Sequence, residues 1–132
     1  MTIYFFTADK KPYGSFCNFS LHGFELDGLW WQTSEHYYQA QKFAGTAHAE
    51  TIRLAKTPAA SAKLGHAFPC RSDWKKIKYD VMQRAILQKF RTHGDIRKIL
   101  LATEDEMIIQ EDIGDYYWGI GKDGSGKNYL GQ

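Results

Sequence analysis

The chain has 132 residues, 17 Lys and Arg against 15 Asp and Glu (formal net charge +2), 43 % apolar and 24 % charged side chains. That length makes one domain whose core needs no disulfide staples. The near-balanced charge excludes a protein held on nucleic acid mainly by counterion release.

Ile3 to Thr7 reads as a short apolar strand. It is too brief, before Asp9-Lys10-Lys11, to be a secretory signal, and no stretch is long enough to span a membrane. In Ser15-Phe16-Cys17-Asn18-Phe19, both phenylalanines are expected to point inward, and the Asn18 amide can donate and accept at once. Phe24-Glu25-Leu26 and Leu29-Trp30-Trp31 flank Asp27-Gly28, a pair suited to the positive φ values of a type I′ hairpin turn.

Thr33 is the expected N-cap of a helix over Ser34–Phe43. At helical spacing His36, Tyr37, Ala40, Phe43 and Ala44 share the face that packs, and Glu35, Tyr38, Gln39 and Lys42 share the other. Glu35 and Lys42 lie seven residues apart, two turns, which puts them on one side roughly 10 Å apart along the axis. On spacing alone this polar face reads as solvated. The alternative is two long side chains converging on a small molecule.

A second helix is expected over Ala47–Lys56. A third starts at Thr57-Pro58, with Thr as cap and Pro at the first helical position, and ends at Gly65. Ser72 is the expected cap of the longest helix, running to about Thr92 with a buried stripe of Trp74, Ile77, Val81, Ala85 and Phe90; Gly94 stops it. Asp95 caps a short helix through about Ala102, and Met107 to Ile113 is a strand. Asp115-Tyr116-Tyr117-Trp118-Gly119 then leads into a Gly-rich tail. The sum is an α+β fold, a mostly helical single domain over residues 1–132 with a small β-sheet.

Charge is distributed unevenly. Arg71 to Lys98 carries nine Lys and Arg against three Asp, and Glu104 to Asp115 carries six acids and no Lys or Arg. The basic run is most simply the solvated face of a helix, with a phosphate-attracting surface as the alternative. Gly121 to Lys127 fits G-x-x-x-x-G-K, but Asn128 follows where the phosphate loop needs Ser or Thr, and five residues cannot supply the helix it requires. A tight turn is expected there; backbone N–H groups meeting a ligand phosphate are the alternative. The five histidines are scattered, and Cys17 and Cys70 make neither a metal spacing nor a disulfide framework. No metal is expected, and the setting is expected to be reducing and cytoplasmic.

Taken together, several segments resemble the NADAR family, named for its association with NAD and ADP-ribose metabolism and including riboflavin-intermediate N-glycosidases. They are Cys17-Asn18-Phe19; Phe24 to Trp31; Thr33-Ser34-Glu35-His36-Tyr37-Tyr38-Gln39-Ala40-Gln41-Lys42-Phe43; Asp73-Trp74 with Val81-Met82; Lys89-Phe90; and Asp115 to Gly119 with Gly126, Asn128, Leu130 and Gly131. Cys17 replaces a usual Ser. Gly65-His66 stands where Gly-Arg is expected, which leaves Arg71 as a candidate for holding phosphate.

The resemblance implies hydrolysis of an N-glycosidic bond between C1′ of a ribose and a base amine, with no cofactor and no membrane partner. The leading expectation is removal of ADP-ribose from guanine in DNA or RNA. The alternatives are ribosylamino-pyrimidine phosphates of riboflavin synthesis, or an ADP-ribose- or NAD-binding module without turnover. Lys42 is implied as nucleophile, Glu35 as acid/base and Asp115 as a second carboxylate for ribose hydroxyls or the leaving group. Asn18, Phe19, Tyr38, Trp74, Trp118 and Gly119 are implied as substrate contacts. To attack, Lys42 must be neutral, and only desolvation or a neighbouring cation can lower its pKa enough.

Overall fold

The computed structural model describes residues 2–132. The chain forms two compact units, one made of Leu21–Gly94 and the other of the segment up to Ser20 together with Asp95–Gln132. Among the described residues no helix is long and apolar enough to cross a membrane.

The Leu21–Gly94 unit begins with the hairpin. Strands β2 (Phe24–Leu26) and β3 (Leu29–Trp31) pair antiparallel, Phe24 opposite Trp31. Asp27 (φ 56°) and Gly28 (φ 78°) both take the left-handed conformation, as the type I′ turn demands. The turn is tied inward: Tyr37 donates to Asp27 Oδ2 at 2.8 Å and Arg84 to Asp27 Oδ1 at 2.7 Å. Four helices follow: α1 (Ser34–Gln41), α2 (Ala47–Arg53), α3 (Pro58–Gly65) and α4 (Trp74–Thr92). Thr33, Thr46 and Thr57 each cap a helix, accepting from the backbone N–H three residues on. Helix α1 packs against α2, α3, α4 and β3. The core is Phe24, Trp31, Tyr37, Ala40, Ile52 and Ala85, with Leu26, Phe43, Ala49, Leu64 and Val81 packed on it.

Several boundaries differ from expectation. Helix α2 stops at Arg53, short of Lys56. Ser72 does not cap α4; the preceding residue is Asp73, which makes no cap bond because Arg71 holds its carboxylate at 2.6 and 3.0 Å. Trp74, Met82, Ala85, Lys89 and Phe90 are buried on α4, while Ile77 and Val81 flank that stripe half-buried. Helix α4 ends at Thr92 as expected, but the break falls at the extended cap residue His93; Gly94 opens α5 (Gly94–Ala102), so Asp95 lies in its first turn and does not cap it.

In the other unit β1 (Ile3–Phe5) pairs parallel with β4 (Ile108–Gln110), Ile3 opposite Ile108. Both strands are shorter than expected. Phe16 is buried and meets Phe5 edge-on. Phe19, expected inward, is exposed. The C-terminal segment pairs back on the Tyr-Tyr-Trp-Gly stretch: Asn128 N–H donates to Gly119 O at 3.0 Å, Tyr129 to Tyr117 O at 3.0 Å and Leu130 to Trp118 O at 3.1 Å. Asn128, at φ 53°, turns its amide onto β4, accepting from Gln110 N at 2.9 Å and donating to Ile108 O at 2.8 Å. A side chain thus supplies the hydrogen bonds that a neighbouring strand would give. The Gly-rich tail is a tight turn, with Asp123 Oδ1 accepting from Ser125 N at 3.0 Å and Gly124 at φ 81°.

Candidate active site

Helix α1 is covered almost all round. Its first turn is fixed by a buried relay. Thr33 Oγ1 accepts from His36 N at 3.1 Å and lies 2.8 Å from His36 Nδ1, while His36 Nε2 lies 3.0 Å from Ala55 O. A carbonyl only accepts, so Nε2 carries the proton and the Thr33 hydroxyl donates to Nδ1. Burial also holds the His36 pKa below its ordinary value, so the ring is kept neutral.

The polar face of α1 does not face solvent. Tyr38, Gln39 and Lys42 are buried and Glu35 is half-buried. Ala44, expected on the packed face, is exposed because the helix has already ended at Gln41. Spacing placed His36, Tyr37 and Ala40 on a packed face but could not show that α3 and α4 cover the other.

Lys42 is 8 % exposed, and its Nζ sits 5.6 Å from the centroid of the Tyr38 ring. Tyr38 in turn meets Trp74 of α4 edge-to-face at 5.1 Å. Arg71 N–H donates to Lys42 O at 3.0 Å, laying the loop after α3 against the end of α1. The Lys42 amine is pushed below its ordinary pKa, chiefly by burial. Glu35 and Cys70 act in the opposite sense, and the Lys78 ammonium lowers it further. Desolvation and a cation, either of which lowers an amine's pKa, both act on Lys42 in that direction. The Glu35 carboxylate is held by Gln39, whose Nε2 donates to Oε2 at 2.7 Å.

Glu35, Tyr38, Lys42 and Trp74 therefore belong to one unit: a carboxylate on α1, a desolvated amine on its C-cap residue, and an aromatic pair beside the amine. Trp74 is buried against Tyr38, so its ring is a wall of this cluster rather than an open stacking platform. Asn18, Phe19, Asp115, Trp118 and Gly119 belong to the other unit. Asn18 is buried there. Asp115 Oδ1 accepts from Tyr117 N at 2.9 Å and Trp118 N at 2.8 Å, so this carboxylate shapes the turn that carries the tryptophan. Trp118 is half-buried against Tyr117. At Gly119 a Cβ would stand 3.0 Å from Asp115 O, a tight fit that asks the turn to give by a few tenths of an ångström.

Sequence reasoning missed Gln39, Cys70 and Lys78. For Gln39 the signal was available: a glutamine four residues after a glutamate on a helix is within hydrogen-bonding reach. Cys70 and Lys78 act on Lys42 across the fold, and no local pattern announces them.

A match to the NADAR domain spans residues 4–132. The chain belongs to the NADAR family. Among its NADAR relatives is the N-glycosidase Npun_R5314 of Nostoc punctiforme, 45 % identical over 137 residues that cover 100 % of this chain and 87 % of that protein. The fold matches the NMR structure of the E. coli protein YbiA with a TM-score of 0.89 at 39 % identity, covering 99 % of this chain and 79 % of that one. The riboflavin biosynthesis protein PYRR of Zea mays is 39 % identical over 137 residues, 91 % of this chain but only 22 % of PYRR. As a NADAR protein the chain is an α+β domain, as its segment pattern indicated.

Proposed function

We propose that this NADAR protein is an N-glycosidase that cleaves the bond between C1′ of a ribose 5-phosphate and the amine of a pyrimidine, the ribosylamino-pyrimidine phosphate chemistry of early riboflavin synthesis. The observation that carries the reaction type is the desolvated Lys42 amine, whose charge the Glu35 carboxylate reaches. The substrate class is supported by the riboflavin biosynthesis name of the maize relative and by the N-glycosidase name of the Nostoc relative.

In this reading the neutral Lys42 Nζ attacks C1′. A C–N bond forms to Nζ, the C1′–N bond to the base breaks with its electron pair, and the leaving amine takes a proton. Glu35 accepts the proton that Nζ sheds and delivers it to the leaving amine. Its place in the first turn of α1 and the hydrogen bond from Gln39 both favour the carboxylate, the form that can act as base. The glycosyl-lysine opens to an imine as the Nζ lone pair forms C=N, the bond from C1′ to the ring oxygen breaks with its electron pair, and the proton that Nζ loses passes to that oxygen. Water adds to the imine carbon and releases ribose 5-phosphate, returning Lys42 to its starting state. The cation of Lys78 serves a second purpose here, since it attracts the substrate phosphate as well as depressing the Lys42 pKa.

The test presents the protein separately with a ribosylamino-pyrimidine phosphate and with an oligonucleotide bearing ADP-ribosylated guanine, and identifies released products by mass spectrometry. Ribose 5-phosphate and free pyrimidine amine are expected from the first. Release of ADP-ribose from the second alone moves the substrate to ADP-ribosyl-guanine. No product from either, with a nucleotide-dependent rise in melting temperature, makes the chain a binding module.

A further inference from the structure

We propose that Gln39 is the positioning residue for the Glu35 carboxylate, and that Gly65 is the residue that admits it. The inference rests on the reading of Glu35 as the base for Lys42. Gln39 is 3 % exposed, and its amide is split between two fates. Nε2 donates to Glu35 Oε2 at 2.7 Å, while Oε1 is buried with no hydrogen-bond partner among the described residues. A stranded buried carbonyl costs stability, and an apolar side chain of similar size avoids that cost. What the apolar side chain lacks is the N–H aimed at Glu35. Turning the amide over would set a carbonyl oxygen against a carboxylate, so Glu35 itself fixes the orientation.

Helix α3 is shaped around this amide. A Cβ at Gly65 would stand 2.0 Å from Gln39 Oε1, 2.8 Å from Cδ and 3.1 Å from Cβ. Gly65 is a helical residue without a positive φ, so the bare Cα serves space and not backbone conformation. Any side chain there pushes the amide off its place and with it the hydrogen bond to Glu35. Gln39 thereby holds one carboxylate oxygen of Glu35 still, on the same helix as Lys42, whose amine the Glu35 charge reaches. Cys70 and Lys78 also reach Lys42, and neither is altered by a change at Gln39.

Gln39→Met keeps length and bulk and removes the amide; Gly65→Ala displaces the amide and leaves Glu35 and Lys42 untouched. Two readouts are taken: steady-state kinetics on the ribosylamino-pyrimidine phosphate, and the titration of the Glu35 side-chain carboxyl followed by 13C NMR without substrate. In Gln39→Met, kcat is expected to fall by about tenfold or more with KM within about twofold, since the lost contact acts on the base and not on the sugar. Its melting temperature is expected to be no lower than wild type, and Glu35 is expected to titrate at higher pH, because a donor to the charged form is gone. Gly65→Ala is expected to move both readouts the same way. A Gln39→Met enzyme with kcat within about twofold of wild type, or one whose loss is entirely in KM, overturns the proposal. So does an unchanged Glu35 titration. A wild-type protein with no turnover counts against the proposed function; the titration then decides by itself whether Gln39 holds Glu35.

Discussion

The relay Thr33–His36–Ala55 anchors the start of the helix from which Glu35, the proposed base, projects and which Lys42, the proposed nucleophile, ends, and Thr33→Val tests it. Valine preserves the shape of a residue that is 0 % exposed while removing its oxygen. Two losses follow from the structure. The N-cap bond to His36 N disappears, worth about 1 kcal/mol. His36 Nδ1 is left buried without its donor, which costs about 1–3 kcal/mol more. The sum is about 2–4 kcal/mol, and for a chain of this length each kcal/mol lowers Tm by about 4 °C, so a fall of about 8–16 °C is expected. Thr33→Ser keeps the hydroxyl and loses one methyl group, at about 1 kcal/mol. Thermal melts at neutral pH give both values. The relay also gives a sign with pH. His36 is held neutral in the fold, so the unfolded chain binds more protons as pH falls through the ordinary imidazole value of 6.5, and wild-type stability drops from there downward. A Thr33→Val protein melting within about 2 °C of wild type, or one no worse than Thr33→Ser, would refute the relay.

Lys42→Met is expected to abolish turnover and raise Tm at neutral pH, because the fold no longer buries an amine. Lys42 binds its proton less tightly folded than unfolded, so wild-type stability rises with pH toward the ordinary lysine value of 10.5, and the variant's advantage shrinks over that span. Melts at pH 7 and pH 10 check this; a lower Tm at pH 7 contradicts it. Asp115→Asn retains the acceptor for Tyr117 N and Trp118 N, so Tm is expected to hold, while kcat falls by about 10–100-fold if the charge serves the leaving group as the family resemblance implies. Unchanged kinetics would remove Asp115 from the chemistry and leave it a turn residue. Asn128→Gly loses the two bonds to β4, about 2 kcal/mol together, and Asn128→Ala loses about 1 kcal/mol beyond that for the left-handed backbone. Denaturant melts that rank Ala and Gly equal would count against this use of the side chain.

What the sequence revealed was local chemistry. Asp27-Gly28 announced a turn whose φ values only such residues take readily, and Thr33 and Thr57 announced helix starts, because the partner of each lies within three or four residues. The shared side of Glu35 and Lys42 was legible as well, since two turns at helical spacing fix it. Burial of that side was not. Whether Tyr38, Gln39 and Lys42 meet water depends on α3 and α4, and on a glycine 26 positions beyond Gln39 that leaves room for its amide. The same limit applies to Ser72: α4 starts one residue later than the pattern suggested, with Asp73 at the cap position and its carboxylate taken by Arg71. It explains Phe19, whose neighbours in sequence gave no sign that it would stay exposed. Asn128 was read as a family mark, and its use as a substitute strand partner became visible only once the C-terminal segment was seen beside β4.

The most direct test of the account is reductive trapping. Sodium borohydride is added while the protein turns over the ribosylamino-pyrimidine phosphate, and the digested protein is mapped by mass spectrometry. The account predicts a stable ribosyl-phosphate adduct on the peptide carrying Lys42, formed only with substrate and absent from Lys42→Met. Turnover without any adduct, in a Lys42→Met protein as active as wild type, would contradict it.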